Sequence, residues 1–182
     1  MSVLRPLFAT VLSIAATAAG AHPVHEVVQN AYLTLSPSMV GLELELTAGP
    51  QVAGRIIRAL DGNGDRRISP VEARAYADRV VARSRLTVDG RPLTIRTLSV
   101  DVPSYAALLG AHGTIRITAR ALRSDRAGAA RLAYRNGYSP AESRCDANIF
   151  IKARKPVAYR VKNQDRSSDG RLLVVDYSTF IA

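Results

Sequence analysis

Apolar and polar residues alternate along much of the chain, most clearly between residues 40 and 47. Apolar side chains occupy every second position there, at Val40, Leu42, Leu44 and Leu46. Successive side chains of a strand point to opposite faces, so this pattern predicts a strand with one buried face and one solvated face. The same period recurs in segments 31–35, 115–119, 132–134, 157–161 and 173–177. Counting the hairpins below, we expect about seven to nine short strands.

Two turn signals indicate how some of these strands connect. Asp89-Gly90 separates Leu86-Thr87-Val88 from Leu93-Thr94-Ile95, and Asp-Gly between apolar runs is a strong hairpin signal. The polar segment from Asn163 to Gly170 separates two further alternating runs, which predicts a second hairpin. Many short strands joined by turns predict a mainly β (α+β) fold, specifically an antiparallel β-sandwich.

One region departs from the two-residue period and follows the spacing of helices. Its first part repeats at i, i+3, i+4 and i+7, with Ala53, Ile56, Ile57 and Leu60 on one face. In its second part Ser69 suits a helix cap, Pro70 suits the first helical position, and an apolar stripe follows at Ala73, Ala77, Val80 and Val81. We therefore predict a helix-loop-helix at about residues 50–84, inserted in a single domain that spans residues 22–182.

The loop between these helices, DGNGDRRISPVE, has the oxygen spacing of an EF-hand. Ca²⁺ prefers six to eight oxygen ligands, and an EF-hand supplies them from loop positions 1, 3, 5, 7, 9 and 12. Those positions are Asp61, Asn63, Asp65, Arg67 through its backbone carbonyl, Ser69 through water, and Glu72 as a bidentate ligand. Ile68, at position 8, can tie the loop to the core. The spacing and the flanking helices predict a calcium site.

Position 6 of the predicted loop departs from the EF-hand pattern. Glycine normally occupies it because the backbone there has a positive φ, and this sequence has Arg66. That conformation costs arginine about 1 kcal/mol, and neighbouring arginines repel a dication. We therefore expect weak binding, with a dissociation constant of about 10⁻⁴ to 10⁻³ M.

An alternative interpretation of the same residues is ordinary turn chemistry. Asp-Gly-Asn-Gly-Asp favours turns, and Ser69-Pro70-Val71-Glu72 is a capping box with or without metal. A metal-free helical hairpin does not, however, require oxygen-bearing side chains at positions 1, 3, 5, 9 and 12 together with an aliphatic residue at position 8. The full pattern favours the metal loop.

The first 21 residues have the features of a secretory signal peptide. Arg5 is their only charged residue, an apolar run follows from Leu7 to Ala19, and Ala19-Gly20-Ala21 provides small residues for cleavage. The run is shorter than the roughly 20 apolar residues of a membrane-spanning helix. We expect a mature chain that begins at His22, is periplasmic or secreted, and does not span a membrane.

Charge and motif content narrow the function classes. The formal net charge is +10, but export and the lack of a Lys/Arg block argue against nucleic acid as a partner. No Ser-His-Asp spacing, metalloprotease helix or Gly-rich phosphate loop is present in the sequence. Cys145 is the single cysteine, so no disulfide forms within the chain. These observations predict that the protein is not an enzyme.

Histidines near the predicted mature terminus support a second hypothesis. If cleavage follows Ala21, the free amine and imidazole of His22, with His25 close behind, can chelate copper or nickel. The competing interpretation is a flexible, solvated terminus. The alternative function is therefore an accessory metal-handling protein for nickel, cobalt or copper.

Four segments, AHPVHEVVQNAYLTL, VGLELELTAG, LDGNGDRRISPVEARAYADRVV and LTVDGRPLTI, occur in this order. With them the chain resembles the exported EF-hand-containing domain that bacteria have alone or ahead of nickel/cobalt-transporter-like membrane regions. The likeness covers roughly residues 21–135. It implies a periplasmic protein that binds calcium, with a membrane metal transporter as a partner. Without a multi-helix transporter region it does not imply transport by this chain.

Overall fold

The computed structural model describes residues 24–181, so the predicted signal peptide and His22 lie outside the described residues. Within these residues the fold is mainly β, with ten strands and three short helices. The strands are β1 (Val27–Ser36), β2 (Met39–Ala48), β3 (Ser84–Val88), β4 (Arg91–Pro92), β5 (Ile95–Asp101), β6 (Ile115–Leu122), β7 (Gly128–Asn136), β8 (Ser143–Ile151), β9 (Val157–Arg166) and β10 (Leu172–Ile181). The helices are α1 (Pro50–Leu60), α2 (Pro70–Val81) and α3 (Tyr105–Leu109).

The first sheet has the strand order β5-β6-β2-β1-β8. β1 and β2 form an antiparallel hairpin with Val27 opposite Ala48 and Ser36 opposite Met39. The alternation predicted for β2 is confirmed, since its apolar positions are buried and the residues between them are partly exposed. β1 also pairs with β8, in parallel. This one pair departs from the predicted antiparallel arrangement, because the whole chain between β1 and β8 serves as the long connection that parallel pairing needs.

The second sheet has the order β4-β3-β7-β10-β9, and all its pairs are antiparallel. Asp89 and Gly90 both have positive φ, 50° and 75°, as a two-residue hairpin turn of type I′ requires. The predicted hairpin is present, but its second strand is only Arg91–Pro92. Ile95, predicted to belong to that strand, begins β5 of the other sheet. Pro92 has no N–H to extend the ladder.

The second predicted hairpin joins β9 to β10, with a shorter turn than expected. The segment from Asn163 to Gly170 was predicted to be a loop, but β9 continues to Arg166 and pairs with β10. The last residues of β9 are polar and exposed on both faces of the strand. When both faces of a strand are exposed, apolar and polar residues do not alternate, and the sequence pattern does not indicate a strand.

Both predicted helices form where the apolar stripes indicated. α1 buries Val52, Ala53, Ile56, Ile57 and Leu60. α2 starts at the Ser69 cap with Pro70 in its first turn and buries Ala73, Tyr76, Ala77, Val80 and Val81. One cluster of buried apolar residues includes members of both sheets and of both helices. None of the helices in residues 24–181 has the length and apolar character needed to cross a membrane.

Candidate metal-binding loop

The candidate loop joins α1 to α2 and spans residues 61–72. Asp61 ends α1, with its backbone N–H donating to the Ile57 carbonyl at 2.8 Å. Ser69 caps α2 and Glu72 lies in its first turn. The buried apolar faces of the two helices therefore fix the two ends of the loop, while residues 62–67 are exposed.

Asp61 organises the first half of the loop through backbone hydrogen bonds. Its Oδ1 accepts from the N–H groups of Gly64 at 2.8 Å and Asp65 at 3.2 Å. Its Oδ2 accepts from the N–H of Arg66 at 3.0 Å. The chain therefore curls around this carboxylate, as expected of the first ligand of a tight metal loop.

Asn63 and Asp65 continue the same arrangement two residues at a time. Asn63 Oδ1 accepts from the Asp65 N–H at 3.0 Å, and Asp65 Oδ1 accepts from the Arg67 N–H at 2.8 Å. Asn63 Nδ2 also donates to Asp65 Oδ2 at 3.1 Å. Hydrogen bonds thus bring the predicted ligands at positions 1, 3 and 5 into one turn.

Glu72 ties the end of the loop back to its beginning. Its Oε1 accepts from the N–H groups of Gly62 at 2.9 Å and Asn63 at 3.4 Å. Its Oε2 accepts from the N–H of Ser69 at 3.0 Å and from the Ser69 hydroxyl at 2.7 Å. These bonds, led by the one from the Ser69 N–H, lower the pKa of the Glu72 carboxyl. A carboxylate has about four lone-pair positions, so Ca²⁺ must replace or share existing hydrogen bonds of Glu72.

The backbone at Arg66 has the left-handed conformation expected for position 6 of the loop, with φ of 62°. Gly64 also has a positive φ, 75°. Arginine adopts this region only at a cost, because its Cβ approaches the following carbonyl. The loop therefore has the predicted turn and carries the predicted strain.

Arg67 and Ser69 contribute differently from the remaining predicted ligands. Arg67 is exposed and its N–H donates to Asp65, so its own part in a metal site is limited to its carbonyl oxygen. The Ser69 hydroxyl donates to Glu72 and accepts from the Glu72 N–H at 3.3 Å. The predicted role of Ser69 as a helix cap is confirmed, and this cap competes with a role in metal binding.

The acidic side chains of the loop are near one another but do not form a closed set of ligands. Across residues 24–181, no group of three or more His, Cys, Asp or Glu side chains is arranged to hold a metal ion. Asp61, Asp65 and Glu72 are therefore not yet converged on one point. A bound cation would have to replace backbone N–H groups as partners of these carboxylates.

The positive charges around the loop are partly neutralised. Arg74 donates through Nε to Asp78 Oδ2 at 3.1 Å and through Nη2 to the Thr97 carbonyl at 3.0 Å. Arg58, Arg66 and Arg67 are exposed to solvent, where salt screens their repulsion of a cation. The ion pair of Arg74 and the screening of the exposed arginines therefore reduce the repulsion between these side chains and a cation in the loop.

The other candidate groups are not part of this loop. His25 is exposed and His22 lies outside the described residues, so the transition-metal hypothesis stays a prediction. Cys145 is buried and burial raises the pKa of its thiol, as suits an unreactive cysteine. No protein-family model and no curated protein matches the chain, so the resemblance to exported EF-hand domains also stays a prediction.

Two features of the site were missed at the sequence level. The first is the bond from the Gly62 N–H to Glu72, since a backbone donor has no sequence signature. The second is Tyr76, which lies 1% exposed in α2 and accepts a hydrogen bond from the Tyr138 hydroxyl at 3.0 Å. Its position on the stripe between Ala73 and Ala77 could have identified it as buried.

Proposed function

We propose that this chain is a periplasmic or secreted calcium-binding protein in which an EF-hand-like loop has a structural or modulatory role. The observation that carries the proposal is the tight turn in which Asp61, Asn63 and Asp65 accept hydrogen bonds from loop N–H groups, on a backbone that is left-handed at Arg66. Oxygen side chains at this spacing, between two helices, suit a hard dication. No catalytic role is assigned to the protein.

We also propose that the two sheets pack face to face as a β-sandwich in which the helix-loop-helix is inserted. Buried hydrogen bonds between the sheets support this arrangement, including that from Asn136 Nδ2 of β7 to Gln29 Oε1 of β1 at 2.9 Å. Gly170, in the turn between β9 and β10, lies so close to Cys145 of β8 that a Cβ would collide with its carbonyl. Calcium would therefore stabilise an insertion whose helices pack into the core that the two sheets share.

The hydrogen bonding of Glu72 supports weak binding. Ca²⁺ gains two carboxylate oxygens only as the bonds from Gly62, Asn63 and Ser69 are given up or weakened. The cost of that exchange subtracts from the affinity. A weak extracellular-type site fits this competition better than a tight buffering site.

Thermal melting with and without calcium tests the proposal, with Asp65→Asn as the test variant and Asp165→Asn as its control. Both aspartates are exposed, and both accept a hydrogen bond from an asparagine two residues earlier, at 3.1 Å for Asp65 and 2.7 Å for Asp165. At ten times the dissociation constant, calcium should stabilise the wild type by about 1.4 kcal/mol. Asp165→Asn should retain this gain and Asp65→Asn should lose most of it. Equal gains in the two variants would refute the site.

A further inference from the structure

A cavity of about 330 Å³ lies at the second sheet, beside the Asp89-Gly90 turn. It brings Arg91 of β4 together with Arg123 and Arg126, which lie in the segment between β6 and β7. Its apolar wall includes Val88, Leu93 and Ala130. Small ligands bind in concave sites of this size, where a few convergent polar groups fix their orientation.

Arg123 is the fixed charge of this cavity. Its side chain is only 4% exposed, and its Nη2 bonds to Asp125 Oδ1 at 2.7 Å and to the Tyr159 hydroxyl at 2.8 Å. Its guanidinium also lies over the Tyr159 ring, 5.4 Å from the centroid. These contacts hold the arginine in one orientation before any ligand arrives, which reduces the entropy cost of binding.

One donor of Arg123 is unused. Its Nε is buried and has no hydrogen-bond partner among residues 24–181. A buried donor without an acceptor costs free energy.

The charges around the cavity favour an anion. Among residues 24–181, Asp89 is the only acidic residue that lines the cavity, and Asp89 Oδ1 already accepts from the Arg131 N–H at 2.8 Å. Asp125 neutralises the charge of Arg123. The three arginines still outnumber Asp89 and Asp125, so the site has a net positive charge. Concave sites with an excess of one charge concentrate ligands of the opposite sign.

We propose that this cavity binds a small organic anion. A carboxylate faces the three arginines, where planar guanidinium groups match its two oxygens. The aliphatic part of the ligand lies against Val88, Leu93 and Ala130. No residue of the loop from Asp61 to Glu72 lines the cavity, so this site is independent of the calcium loop.

Titration of the protein with octanoate, followed by calorimetry, tests the proposal. The test variant is Arg91→Gln/Arg126→Gln, whose two positions are exposed and should not affect folding. The control is Arg85→Gln/Arg135→Gln, which removes the same charge from two exposed arginines paired across β3 and β7. Loss of charged hydrogen bonds should weaken octanoate binding at least about tenfold in the test variant. The control should stay within about twofold of the wild type.

Three outcomes would overturn the proposal. The first is no octanoate binding by the wild type at millimolar concentration, and the second is equal weakening in the two double variants. The third is binding of inorganic phosphate as tight as that of octanoate, because the apolar wall would then contribute nothing. Binding of 1-octanol at least about tenfold weaker than that of octanoate is expected, because the alcohol lacks the charge that the arginines recognise.

Discussion

Arg66 has the least favourable backbone conformation of the predicted ligand loop, and this makes it the most informative residue to change. Glycine relieves the strain of a positive φ in every state that keeps this turn, while loss of the positive charge favours the calcium-bound state. Part of the gain is offset because glycine is more flexible in the unfolded chain. Relief of backbone strain should therefore change the free energy of unfolding, whereas loss of the charge should change the affinity for calcium.

Arg66→Gly should raise the free energy of unfolding by up to about 1 kcal/mol and should also tighten calcium binding. Arg66→Gln is the matched control, since it removes the charge and leaves the strained backbone. It should tighten binding with no gain in stability. Denaturant unfolding and calcium titration measure the two quantities, and weaker binding by both variants would mean that the loop does not bind calcium in this turn.

Glu72 should make the hairpin sensitive to acid. Because hydrogen bonds from Ser69 and the loop amides lower its pKa in the folded protein, its carboxylate stabilises the fold above the ordinary glutamate pKa of about 4.3. That contribution is lost as pH falls through the lowered value. Ser69→Ala removes one of the donors, so the pKa should move up toward the ordinary range. Carboxyl carbon NMR of Glu72 measures it, and an unchanged pKa in Ser69→Ala would contradict this assignment.

From the sequence, only those residues of the site that follow the regular EF-hand spacing could be predicted. Oxygen side chains at alternate positions identified Asp61, Asn63 and Asp65, and the turn at Arg66 followed from the pattern. The engagement of Glu72 with Gly62 could not be predicted, because it depends on how closely the start of α2 approaches the end of α1. That distance depends on the packing of the two helices, which the sequence of the loop alone does not specify.

At the scale of elements, a pair of tyrosines connects α2 to the segment after β7. The rings of Tyr76 and Tyr138 meet edge to face, with centroids 6.1 Å apart, and the Tyr138 hydroxyl donates to the Tyr76 hydroxyl. Desolvation raises the pKa of both phenols, so both stay neutral through ordinary pH. The pair therefore links α2, whose first turn holds Glu72, to the segment that follows β7 of the second sheet.

Tyr76→Phe and Tyr138→Phe should each cost about 1 kcal/mol of stability, because each removes one partner of the same hydrogen bond. The double variant should cost clearly less than the sum of the two. Urea unfolding of the wild type, the two single variants and the double variant measures the coupling free energy between the two hydroxyl groups. Strict additivity would show that the hydroxyl contact does not stabilise the fold.

Elements with strong periodicity were predictable and those without it were not. The heptad-like stripe of α1 and the alternation of β2 each depend on one buried face. β8 was missed, since its burial is irregular, with Asn148 and Ile149 partly exposed and Phe150 and Ile151 exposed. β9 was cut short because its last residues are polar on both faces. Where burial does not alternate, side-chain pattern gives no information on strand length.

At the scale of the whole molecule, the two sheets are joined by a few polar contacts as well as by the apolar core. Arg123, which follows β6, reaches the Tyr159 hydroxyl of β9 and the Ser36 carbonyl of β1. The mainly β class could be predicted from the sequence. The parallel pairing of β1 with β8 could not, because residues more than one hundred positions apart meet there. Because most members of the apolar core lie in strands, the fold should form without calcium.

The most direct test of the calcium proposal is a titration of ¹⁵N-labelled protein with Ca²⁺, followed by backbone amide NMR. The account predicts that the folded spectrum is present before calcium is added. The largest shifts should then come from the amides of Gly62, Asn63 and Ser69, which donate to Glu72, and they should saturate at one Ca²⁺ per chain. Mg²⁺ should produce smaller shifts, since it demands a tighter octahedral shell. Unchanged loop amides at millimolar calcium, or shifts confined to other parts of the chain, would contradict the account.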